Sequence, residues 1–115
     1  MNERLKYASS LFSGARQDDT FGRVHEIFPV ATMTASPEPF VFPQGEPIEL
    51  PQNFMHESSA KDPMAFLGET DTVALLVIKD GAMRLERYWL TGSPTTTWVS
   101  MSVAKSFVSA ALGIA

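Results

Sequence analysis

Six of the eight prolines fall between Pro29 and Pro51, in PVATMTASPEPFVFPQGEPIELP. Each removes a backbone donor and pushes the residue before it toward extended geometry, so these positions suit neither a helix nor a central strand. The stretch divides the 115 residues into parts that have to be read separately. Its own apolar residues, Phe40, Val41, Phe42, Ile48 and Leu50, are too many for a free linker. They predict an extended arm over residues 29–71, laid across a larger body and pinned by those side chains. Within the arm, the segment from Pro63 to Leu67 is expected to form one or two helical turns.

Residues 1–28 mix polar positions with scattered apolar ones. The spacing of Leu5, Ala8, Leu11 and Phe12 predicts a short amphipathic helix, and Gly14 and Gly22 interrupt any longer one. This N-terminal segment carries no recognisable chemistry.

The pattern sharpens over residues 72–115. TVALLVIK is an apolar, partly β-branched run of strand length. Asp80-Gly81 is the dipeptide preferred by a two-residue type I′ turn, in which both central residues need positive φ. In the returning run AMRLERYWL, Met83 and Leu85 alternate with Arg84 and Glu86, as in a strand with one wet face. The alternation slips at Arg87 and Tyr88, which marks them as the place for a bulge or an edge. A hydroxyl-rich loop, TGSPTTT, follows. From Ser102 the chain is rich in alanine, with bulk at Val103, Phe107, Val108, Leu112 and Ile114. Those positions fall on more than one helical face and predict a helix buried nearly all round. The expected fold class is α+β.

Charge and composition exclude several functions. A net charge of −4 with no cluster of Lys and Arg argues against nucleic acid. The absence of cysteine removes disulfides, thiolate catalysis and zinc-thiolate sites together. His25 and His56 stand far apart and form no metal-binding pattern, so neither a metal nor another cofactor is expected. The N-terminus lacks the apolar core of about 7–15 residues that a secretory signal carries. No apolar run is long enough to span a bilayer. The expectation is a soluble, cytoplasmic protein with no membrane contact.

The chemistry lies in Ser102 and Lys105, which at i and i+3 are neighbours on one helical face. A serine hydroxyl is a poor nucleophile until something takes its proton, and a lysine does so only when burial or a nearby cation lowers its pKa. In the first turn of a helix, unpaired N–H groups and the positive dipole end also stabilise a developing oxyanion. The arrangement suits acyl transfer. Spacing alone is weak, because chance puts a Ser-x-x-Lys in roughly every second chain of this size. Ser58 and Lys61 supply an internal control: the same spacing in a polar segment, with no apolar helix behind it.

In its context, SMSVAKSF after a hairpin and a hydroxyl-rich loop and before an Ala-rich helix, the second motif resembles the serine β-lactamase-like hydrolases. That group includes class C β-lactamases, related esterases and 6-aminohexanoate-dimer hydrolases. The resemblance covers residues 72–115. It implies that Ser102 is the acylated nucleophile, that Lys105 helps to deprotonate it, and that the Ser102 backbone N–H is one oxyanion donor. The implied substrate is a small-molecule amide or ester. The family pattern also has a Tyr-x-Asn motif on a later loop and a Lys-Thr-Gly triad on a late strand. Neither stands in this sequence: Tyr7 and Tyr88 both precede Ser102, and Leu90-Thr91-Gly92 lacks the lysine.

Gly113 is a candidate helix-ending residue, but the apolar Ile114 and Ala115 follow it. Together with the missing motifs, this predicts the N-terminal part of a larger hydrolase, inactive alone and completed by the rest of the fold as a second chain or a C-terminal part. Two other readings compete. In one, the parent protein is a penicillin-recognising module that is acylated but does not turn over. In the other, the chain is a small interaction domain in which Ser102 is only a helix N-cap and Lys105 a solvated side chain.

Overall fold

A computed structural model describes residues 2–115. The fold is α+β, with short helices and two separate antiparallel hairpins among the described residues. Helix α1 (Glu3–Ser10) starts where the Asn2 side chain accepts the Arg4 N–H at 3.0 Å, with Glu3 in the first turn against the positive end of the helix dipole. Helices α2 (Gln17–Thr20) and α3 (Val24–Ile27) are single turns, separated at Gly22 as the sequence predicts. The apolar stripe expected on α1 does not hold it in place, since Leu5 and Phe12 are largely exposed. Tyr7 does that work: its hydroxyl donates to the Thr20 carbonyl, and its ring meets Phe28 edge-on at 6.3 Å.

Residues 29–53 form the extended arm that the prolines require. The expected side-chain pins hold only in part, because Phe40 and Val41 are 79% and 76% exposed whereas Ile48 and Leu50 are half-buried. The backbone does much of the fastening. The Met83 N–H donates to the Pro43 carbonyl and the Gly45 N–H to the Met83 carbonyl, both at 2.9 Å, and the Ile48 N–H donates to the Arg84 carbonyl at 3.0 Å. Pro43 and Pro47 sit where this pairing calls for no N–H, which is how a proline-rich segment can lie along a strand. The Arg84 guanidinium donates to the Glu46 carbonyl, and Arg87 pairs with Glu49 at 2.6 Å.

The arm does not stay extended to residue 71. Strands β1 (Phe54–His56) and β2 (Ser59–Lys61) form a hairpin across Glu57-Ser58, both at positive φ without a glycine. That turn lacks the Asn-Gly or Asp-Gly signal by which such hairpins are recognised. Helix α4 (Pro63–Glu69) follows and covers the predicted turns. Asp62 accepts the Met64 N–H at 2.7 Å and Pro63 opens the helix.

Strands β3 (Ala74–Lys79) and β4 (Ala82–Tyr88) form the predicted hairpin, with Asp80 at φ 55° and Gly81 at φ 73° in a type I′ turn. The bulge lies elsewhere than Arg87 and Tyr88, which pair regularly with Leu75 and Ala74. Val77 pairs with Leu85 and Ile78 with Met83, so Arg84 is the extra residue. That bulged residue is also where Ile48 docks, since a residue left out of the ladder has a carbonyl to offer.

Helix α5 (Ala104–Ile114) corrects the second burial expectation. None of its residues is buried, and Phe107, Val108, Leu112 and Ile114 are 68–88% exposed. The all-round apolar pattern is present, but no element among the described residues covers it. Phe21, Leu85 and the helix-opening Pro63 are the only buried apolar residues described.

Candidate active site

The segment that leads to Ser102 is fixed by close backbone approach and by hydroxyl groups. A Cβ at Gly92 would lie 1.9 Å from the Val73 carbonyl oxygen, so only glycine lets the chain turn there. Thr96 donates to the Thr91 carbonyl at 2.9 Å, and the Ser93 and Thr96 hydroxyls share a 2.8 Å hydrogen bond. Three further bonds tie the segment to the N-terminal helices. Thr91 donates to the Asp18 carbonyl at 2.8 Å, the Thr97 hydroxyl to the Gly22 carbonyl at 3.0 Å, and the Val99 N–H to the Phe21 carbonyl at 3.0 Å. Phe21 packs on Trp98 with ring centroids 5.5 Å apart. Buried Asp18 is ion-paired to Arg16 at 3.0 Å, and Arg16 also reaches Asp71 at 3.7 Å. Sequence reasoning missed Phe21 and Trp98 as anchors; the run of hydroxyl residues was the available signal.

A short 3-10 turn (Met101–Val103) then carries the chain into α5. Ser102 lies on this turn, just ahead of the helix in which it was expected, and Lys105 lies in the first turn of α5. The Lys105 Nζ donates to Ser102 Oγ at 3.0 Å. The Ser102 N–H donates to no carbonyl among the described residues, which leaves it free for an incoming oxygen. Met101, next to Ser102, has φ 46°, a left-handed conformation that costs a side-chain-bearing residue about 1–2 kcal/mol. Ser102 is not a helix cap: Ser100 and Val103 occupy the capping positions, and neither makes a side-chain capping bond.

The control pair behaves differently. Ser58 sits in the β1–β2 turn and Lys61 on β2 opposite Phe54, and no hydrogen bond joins them. Identical spacing thus gives a bonded pair on the turn entering α5 and an unbonded pair on the hairpin. The tyrosines are engaged elsewhere, Tyr7 with Thr20 and Tyr88 with Glu86. Burial raises the Tyr7 pKa, and the hydrogen bond to Glu86 raises that of Tyr88. Arg84 and Arg87 hold the arm.

A groove of about 730 Å³ runs between the N-terminal helices and the segment before the turn, walled by Phe21, Val24, His25, Val30, Trp98 and Ser100. No group of three or more potential metal ligands exists among the described residues, and no described helix is long and apolar enough to cross a membrane. Comparison with family models, curated proteins and solved structures gave no match.

Proposed function

We propose that the chain is the N-terminal portion of a β-lactamase-like serine hydrolase that cleaves a small amide or ester through an acyl-enzyme on Ser102. The 3.0 Å contact between Lys105 Nζ and Ser102 Oγ carries this reading. In the reaction, Ser102 Oγ adds to the substrate carbonyl carbon as its proton passes to the Lys105 amine. The carbonyl oxygen takes the charge and is held by the Ser102 N–H. Collapse expels an amine or alcohol, which collects the proton from Lys105 and leaves an ester on Oγ. Water then cleaves that ester. Ser102 and Lys105 are both exposed. The remainder of the hydrolase, as a second chain or a C-terminal part, is the partner that would desolvate the lysine and supply the later motifs. The bare faces of α5 and of β3, where Leu76 and Ile78 are exposed, suit such a partner. A cytoplasmic location belongs to the same reading.

The test is covalent labelling of the complete protein with a fluorophosphonate, read by mass spectrometry. A single adduct on Ser102 is expected. Ser102→Ala and Lys105→Ala should each lower turnover at least a hundred-fold, within the usual range for nucleophile and acid–base residues. Full activity in Ser102→Ala would remove the proposal. Stoichiometric acylation without product release would favour the penicillin-recognising module. No labelling, together with a folded isolated chain, would favour an interaction domain built on the exposed face of α5.

A further inference from the structure

A second cleft, of about 480 Å³, opens between the β1–β2 hairpin and α4, and the Ser102 turn contributes nothing to its lining. Its size lies within the ~300–1,000 Å³ of ordinary small-molecule sites. One wall is a single face of the hairpin. Phe54 and Lys61 are direct cross-strand partners, and His56, two residues from Phe54, shares their face. The other wall is a single stripe of the helix, with Ala65, Phe66 and Glu69 following Asp62 at helical spacing. Phe54 and Phe66 meet edge-on across the cleft with centroids 6.1 Å apart, an arrangement open to a further aromatic ring.

The charges divide by wall. The Lys61 ammonium stands on the hairpin side, with the polar His56 ring, and the Asp62 and Glu69 carboxylates stand on the helix side. No ion pair joins the two sides among the described residues. Asp62 uses one carboxylate oxygen to cap α4, whereas the side chains of Lys61, His56 and Glu69 have no hydrogen-bond partner among the described residues. An apolar floor between unpaired charges of opposite sign matches a molecule with an apolar body and both charges of its own. An anion alone would face Glu69, and a cation alone would face Lys61.

We propose that this cleft binds a small zwitterion with an aromatic body, of the free aromatic amino acid type. Its carboxylate lies toward Lys61 and His56, its ammonium toward Glu69 and Asp62, and its ring against Phe54 and Phe66. The site is independent of the Ser102 chemistry, so either can fail without the other.

The test uses L-phenylalanine and two analogues that each lack one charge, 3-phenylpropanoate and 2-phenylethylamine, titrated by calorimetry into the complete protein. L-Phenylalanine should bind about ten-fold more tightly than either analogue, the step expected from one charged contact. Lys61→Met should abolish the preference over 2-phenylethylamine while keeping that over 3-phenylpropanoate, and Glu69→Gln should do the reverse. Both side chains are exposed, so the variants should keep the fold, as circular dichroism will verify. Equal binding of all three compounds, no binding at millimolar concentration, or unchanged preferences in the two variants would each overturn the proposal.

Discussion

Two residues decide more than their size suggests. Gly92 passes so close to Val73 that a methyl group has no room, and the atom it would strike is backbone, which cannot swing aside. Gly92→Ala is therefore expected to cost about 1–3 kcal/mol, as overpacking usually does. The cost should appear as faster amide exchange at Trp89, whose N–H donates to the Val73 carbonyl at 3.0 Å; unchanged exchange there would refute the account. Arg84 is the second residue. The alternation of Met83 and Leu85 made β4 legible in the sequence, but the bulge interrupts it at Arg84 and pairing resumes regularly by Arg87. A slip in polarity at Arg87 and Tyr88 was a poor guide because both side chains have exposed partners in Glu49 and Glu86 that make their positions tolerable. Polarity reports the environment of a side chain, whereas a bulge is an event in the backbone.

Among elements, those whose local chemistry is self-sufficient were readable. Asp80-Gly81 specifies its turn through positive φ, and Asp62-Pro63 specifies the start of α4 through a cap and a fixed φ. The β1–β2 hairpin was not readable, because Glu57 and Ser58 hold left-handed conformations that neither residue type favours. The arm was half readable: proline fixed its extended form, but its fastening depends on which N–H groups the prolines leave. Ile48→Pro tests this. It deletes the N–H that reaches the Arg84 carbonyl and leaves the side chains of the arm otherwise in place. Proteolysis within residues 29–53 should quicken, and the Gly45 amide should lose exchange protection, since its bond to Met83 is the neighbouring tie. If cleavage and exchange stay as in the parent, the backbone is not what holds the arm.

For the whole molecule the burial pattern sets the expectation. The radius of gyration is 17.6 Å, against about 13 Å for a compact domain of this length. Exposed apolar surface extends over α5, where Phe107 and Leu112 are more than 70% exposed, and over Leu76 and Ile78 of β3. Isolated two-stranded hairpins are marginal in water, and a chain with so little core has little to hold them. The 115 residues expressed alone should bind a hydrophobic dye, associate, and melt without a cooperative transition. A monodisperse monomer with a sharp calorimetric transition would contradict this. The Ser-x-x-Lys pair was legible by number and context, whereas its exposure was not, because helical periodicity says which faces are apolar and not what lies against them. The hydroxyl ties from Thr91 and Thr97 to the first helices add a practical consequence. An expression boundary placed after Phe28, to discard an apparently featureless leader, would cut away the carbonyls that hold the approach to Ser102. Loss of activity in such a truncation would then report the displaced approach to Ser102, and would say nothing against the role proposed for Ser102 itself.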